Sequence, residues 1–89
     1  MTGVQTCALP IFPAAELLAA ARTLASALAA QAPIAMRYII EAVNGGFDTS
    51  FAEACAYEAT LFGLVATTAD MREGTRAFLE KRRPSFKGE

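Results

Sequence analysis

The 89-residue chain contains no histidine, and its two cysteines, Cys7 and Cys55, are too few for a disulfide framework. Without histidine a Ser-His-Asp arrangement has no base, and with no paired-cysteine motif a zinc site has no ligands, so metal chemistry is not expected. Cys55 sits among apolar helical residues, which suits a reduced, cytoplasmic setting better than secretion. Charged residues make up only 19% of the chain, and the Ala-rich stretch from Pro13 to Ala32 tempts a membrane assignment. Glu16, Arg22, Ser26 and Gln31 interrupt that stretch, whereas a spanning helix needs about 20 predominantly apolar residues. The amino terminus also lacks the basic region of a secretory signal. No segment alternates strongly enough for a strand: the β-branched residues near Ile39-Ile40 and Val65 are too few and too helix-patterned. No internal repeat is present. A chain this short makes one small domain at most, marginal unless stapled or assembled.

What remains is helical. Pro13 fits a first helical position, and Ala14 to Ala30 is rich in the best helix former, with Leu17, Leu18, Ala21, Leu24, Ala25 and Leu28 making a stripe. Pro33 breaks that helix. A second, from Ile34 to about Asn44, places Ile34, Ala35, Tyr38, Ile39, Ala42 and Val43 on one side and is expected to close at Gly45-Gly46 through a positive φ. Ser50 and Glu53 have capping-box spacing and open a third helix, with Phe51, Ala54, Cys55, Glu58, Leu61, Phe62 and Val65 as its stripe. Thr68 then caps a fourth helix. Asp70 and Glu73 lie in its first turn and Lys81, Arg82 and Arg83 at its end, as the helix dipole favours, and Pro84 is expected to stop it. Met71, Gly74, Thr75 and Phe78 recur on one face, where Gly74 permits close approach of another backbone. Ser85 to Glu89 reads as an extended, partly loose tail. The predicted fold class is therefore an all-α fragment of about four short helices, each apolar stripe needing a partner.

Three features bear on chemistry. From Met71 on, six basic residues (Arg72, Arg76, Lys81, Arg82, Arg83, Lys87) outnumber three acidic ones (Glu73, Glu80, Glu89), in a chain whose formal net charge is −1. Such an end suits a phosphate-bearing ligand or an acidic surface. No nucleic-acid-binding motif accompanies it, so nucleic acid is not the expected partner. Glu58 is the one carboxylate directly on an apolar stripe. In a low-dielectric site it could act as an acid or base, but pairing with Arg37, Arg76 or a helix-end N–H is the expected state. Phe78 and Lys81, spaced i and i+3, share a helix face, so that ring and ammonium could meet a purine and its phosphate, with Arg82 as a second cation. From spacing alone a packed phenylalanine beside a solvated lysine is the commoner arrangement.

The first eleven residues form a separate case. Val4-Gln5-Thr6 and Cys7-Ala8-Leu9-Pro10-Ile11 back-translate to a stretch resembling a common sequencing-library adapter. Residues 1–11 are accordingly expected to be a read-through artefact, with the helical region at 12–89.

The phrase Glu73-Gly74, followed by Ala77-Phe78-Leu79-Glu80-Lys81-Arg82 and then Pro84 and Phe86, resembles the carboxy-terminal signature of the enoyl-CoA hydratase (crotonase) family, the likeness running from about Ala32 to Glu89. The resemblance implies a spiral of ββα units upstream and, here, the helical carboxy-terminal region through which such enzymes form trimers that often pair into hexamers. It also implies that Phe78 and Lys81 contact the adenine and phosphate end of coenzyme A bound in a neighbouring subunit. The implied reaction is syn hydration of 2-enoyl-CoA thioesters in fatty-acid β-oxidation or related acyl-CoA breakdown. Two glutamates and a backbone oxyanion hole carry it out, all lying in the spiral core. No residue of this chain, Glu58 included, inherits a catalytic role, so the chain alone is expected to be inactive. No prosthetic group or metal is implied, and the coenzyme A thioester is the substrate. Two departures stand out: Arg37 where many relatives carry lysine, and Thr67-Thr68-Ala69-Asp70 without the acid often found before the aspartate. The ending does not separate hydratases from isomerases of the superfamily, and a non-enzymatic helical interaction module remains the alternative from another class.

Overall fold

A computed structural model describes residues 10–89, which hold four helices and no strand: α1 (Ala14–Ala29), α2 (Pro33–Gly46), α3 (Phe51–Val65) and α4 (Ala69–Leu79). Residues 1–9, with Cys7 and most of the adapter-like segment, lie outside the described residues. Pro13 caps α1 rather than opening it, its carbonyl accepting the Glu16 N–H at 2.9 Å. Pro33 does more than break α1. It occupies the first turn of α2, where its missing N–H costs nothing and its fixed φ is already helical. The axes of α1 and α2 are bent 109° apart at this break, and no single described helix is long and apolar enough to cross a membrane.

The leucines of α1 face solvent: Leu17, Leu18, Leu24 and Leu28 are 47–61% exposed, and the helix buries no residue. Among the described residues the most extensive helix packing is between α2 and α3. Their contact corrects the expected end of α2. Gly45 and Gly46 do not close that helix through a positive φ but lie within its last turn. A Cβ on Gly45 would sit 3.3 Å from the Tyr57 ring, and one on Gly46 would sit 3.5 Å from the Ala54 Cβ. These glycines therefore let α3 approach α2, and α2 ends at Phe47 with right-handed backbone. Tyr57, across the same contact, donates its phenol hydrogen to the Glu41 carboxylate, which raises the phenol's pKa above its ordinary value.

The capping box of α3 is formed as expected. Ser50 Oγ accepts the Glu53 N–H at 3.3 Å, and the Glu53 carboxylate accepts the Ser50 N–H at 3.2 Å and its hydroxyl at 2.8 Å. Those bonds lower the Glu53 pKa, the Ser50 hydroxyl contributing most. Thr68 caps α4, accepting the Met71 N–H at 3.1 Å while its hydroxyl donates to the Val65 carbonyl at 2.8 Å. The connection between α3 and α4 is thus tied at both ends by one side chain.

Candidate functional site

The basic end of α4 stops sooner than Pro84 requires. The last helical residue is Leu79, Glu80 is the cap, and Lys81 takes a left-handed φ of 55°. The Lys81 N–H donates to the Phe78 carbonyl at 3.2 Å and the Arg82 N–H to the Ala77 carbonyl at 3.0 Å. This double bond pattern is a Schellman motif, which satisfies carbonyls that the helix end would leave orphaned. Lys81 therefore does not share a helix face with Phe78, as an unbroken helix would require. It projects from the turn beyond the helix. Phe78 itself is 82% exposed and the neighbouring Leu79 75% exposed. Lys81 is exposed and has no ion-pair partner among the described residues.

Arg82 is not the second free cation that the spacing suggested. Its Nη1 and Nη2 donate to the two carboxylate oxygens of Glu73 at 2.7 and 3.0 Å, and its Nε donates to Glu80. The Ser85 N–H adds a third bond to Glu73 at 2.9 Å. These contacts hold the Glu73 carboxyl down at about 2, with the Arg82 hydrogen bonds the largest cause, and raise the Arg82 guanidinium in turn. A planar guanidinium bonded to both oxygens of one carboxylate is the strong, directional form of ion pair.

The tail is not loose. Asp70, only 3% exposed, accepts the Lys87 N–H at 2.8 Å and the Gly88 N–H at 2.7 Å, and its own N–H donates to the Glu89 carbonyl at 2.9 Å. Phe86 lays its ring over Gly74, where a Cβ would lie 3.4 Å from the ring edge. Gly74 thus admits a ring rather than another backbone. Gly88, at φ 79°, turns the chain against Pro33, which ties the tail to the start of α2. The covered face of α4 is accordingly Asp70, Glu73, Gly74 and Ala77, not Met71, Thr75 and Phe78. Asp70 and Glu73 were legible only as first-turn acids. Their service as tail acceptors depends on a chain reversal that leaves no periodic signal.

The stripes of α2 and α3 converge on an apolar groove of about 540 Å³, lined among others by Ala35, Tyr38, Ile39, Val43, Phe51 and Phe62. Phe51 and Phe62 are 86% and 74% exposed, and only Leu61 of this pair of helices is buried. Cys55 is exposed with a free thiol. Glu58 lines the groove yet is exposed, and neither expected arginine pairs with it. The ion pairs among the described residues all use Arg82, and Arg37 instead lies over the Tyr38 ring at 4.8 Å. Among the described residues no cluster of three metal-ligating side chains occurs.

The enoyl-CoA hydratase/isomerase family profile matches residues 8–89. A "probable enoyl-CoA hydratase" of Mycobacterium tuberculosis is 41% identical over 76 residues, covering 85% of this chain and 30% of that protein. The 2,3-dehydroadipyl-CoA hydratase of Escherichia coli is 38% identical over 78 residues, covering 88% of this chain and 31% of that protein. The crystal structure of an enoyl-CoA hydratase/isomerase from Mycobacterium paratuberculosis superposes with a TM-score of 0.84 at 33% identity, over 89% of this chain and 31% of that one. The chain spans less than a third of the length of these proteins.

Proposed function

The chain belongs to the enoyl-CoA hydratase/isomerase family, and from that premise we propose that it is the helical carboxy-terminal region of a cytoplasmic hydratase. That enzyme adds water across 2-enoyl-CoA thioesters in acyl-CoA breakdown. Hydration is favoured over isomerisation because the matched proteins of M. tuberculosis and E. coli are named hydratases. The two acid–base glutamates and the oxyanion hole belong to the preceding spiral core, and this region contributes assembly and coenzyme A contacts. The open α2–α3 groove and the leucines of α1 are the surfaces that sister subunits of a trimer or hexamer would cover, since exposed apolar patches of this extent mark interfaces. The reaction needs no metal or prosthetic group from these residues.

The observation that carries the reading is the pairing of a bare aromatic ring with an unpaired ammonium three residues on: Phe78 is 82% exposed and Lys81 leaves the helix at the very next turn. A ring can stack on adenine and an ammonium can neutralise a phosphate, so the two recognise the nucleotide end of coenzyme A rather than the acyl end. The test uses a full-length enzyme ending in this sequence. Phe78→Ala is expected to raise KM for crotonyl-CoA roughly threefold to tenfold while leaving kcat, and KM for crotonyl-pantetheine, unchanged. Equal KM values for the variant and the parent on both substrates would overturn the reading. The 89-residue chain by itself should show no crotonyl-CoA hydration above background.

A further inference from the structure

Lys81 is the one non-glycine residue with a positive φ among those described, and it stands at the position after a helix cap where glycine is the usual occupant. A side chain there works against the backbone, so keeping lysine rather than glycine points to use of the ammonium. The residues on either side of it are held. Glu80 accepts from the Arg82 Nε, and Arg82 is bonded through its N–H to Ala77 and through its guanidinium to both oxygens of Glu73. The same guanidinium reaches the Arg83 carbonyl at 3.2 Å. Glu73 is in turn held by the Ser85 N–H, which links the turn to the docked tail. A lysine at position 82 could not grip one carboxylate at two points in this way.

We infer that Arg82 is a positioning residue for the nucleotide end of coenzyme A: clamped by Glu73 and Glu80, it holds Lys81 in the left-handed turn from which the ammonium reaches the phosphate. The inference rests on the coenzyme A reading above but assigns a role to residues which that reading leaves out. Arg82 makes no contact with the ligand in this scheme. Its charge is consumed inside the turn, and it acts only through Lys81.

The test is a double-variant cycle in a full-length enzyme ending in this sequence, assayed with crotonyl-CoA and with crotonyl-pantetheine, which lacks the nucleotide. Arg82→Gln is expected to raise KM for crotonyl-CoA about threefold to fivefold, with kcat and the pantetheine KM unchanged, as loss of one partly exposed charge contact predicts. Glu73→Gln, which leaves the guanidinium in place, should do the same. Lys81→Gly keeps the turn by glycine's own freedom and removes the ammonium. In that background Arg82→Gln should add nothing further. An undiminished Arg82→Gln effect in the Lys81→Gly background overturns the inference, as does an equal rise in the pantetheine KM or no effect of Arg82→Gln at all. If Lys81→Gly itself leaves the crotonyl-CoA KM unchanged, the coenzyme A reading falls and the inference with it. Should Arg82→Gln fail to assemble, Glu73→Gln decides between the same outcomes.

Discussion

α1 is sixteen residues long and buries none of them, whereas α4, at eleven, buries Asp70 and Ala77 and is braced by its own tail. The longer helix has the better composition: it is filled with alanine and leucine, the strongest helix formers. The shorter one has the better partners. Thr68 caps its start, a Schellman turn closes its end, and the carboxylates of Asp70 and Glu73 collect backbone N–H groups from Ser85, Lys87 and Gly88. Propensity alone leaves α1 dependent on whatever covers its leucines, because isolated helices of this length are marginal in water. Local polar bonds make α4 and its tail a unit that carries much of its own support.

Amide exchange on the 89-residue chain should separate the two helices most widely. The α1 amides are expected to exchange within about tenfold of the unfolded rate, with those of α4 at least a hundredfold slower. Equal protection in the two helices would show that tail docking contributes nothing. Next comes Asp70→Ala, which strands the Lys87 and Gly88 N–H groups. At about 2–3 kcal/mol for the lost charge-assisted bonds, protection of those two amides should fall roughly a hundredfold, with α1 unaffected.

A smaller effect separates two glycines of the middle helices. Gly45→Val drives a branched side chain toward the Tyr57 ring, already 3.3 Å from a bare Cβ, and should destabilise the α2–α3 pair by about 1–3 kcal/mol. Gly63→Ala meets nothing within 4 Å and should stabilise by about 0.5–1 kcal/mol through helix propensity. Urea midpoints followed by circular dichroism read both, and the same sign for the two would remove the packing role assigned to Gly45. The smallest is a pH effect. Glu73 sits at about 2 in the folded chain against an ordinary 4.5, so its contribution to tail docking is complete above pH 4.5 and is lost as the pH falls toward 2. The Ser85 amide and Arg82 Nη resonances should report that loss, and their constancy down to pH 2 would dissociate Glu73 from the latch.

The helices themselves were legible because each rests on short-range rules. The capping box at Ser50–Glu53 and the Thr68 cap need only neighbours within four residues. One error lies where a distant segment intervened, the other in a local turn that no glycine announces. Gly45-Gly46 read as a helix stop because the approach of Tyr57 and Ala54 cannot be seen in a glycine pair. α4 was expected to run to its proline, but the Schellman turn at Lys81 ends it at Leu79. Of the candidate site, Phe78 and Lys81 were nameable from the terminal phrase. That Arg82 is tied up and Lys81 free was not, since both read simply as basic residues near a helix end.

Helicity of the described chain, the Ser50 and Thr68 caps and the family its ending resembles follow from the sequence alone, because periodicity, capping chemistry and a short motif are all encoded within a few residues of one another. The folded arrangement settles which carboxylates hold the tail, and that Arg82 is ion-paired while Lys81 has no ion-pair partner among the described residues. Those outcomes depend on Glu73 and Arg82, nine positions apart, meeting across a reversed turn, and on Asp70 meeting Lys87 and Gly88. Hydrogen bonds between such partners are selected by three-dimensional proximity, for which one-dimensional spacing carries no rule.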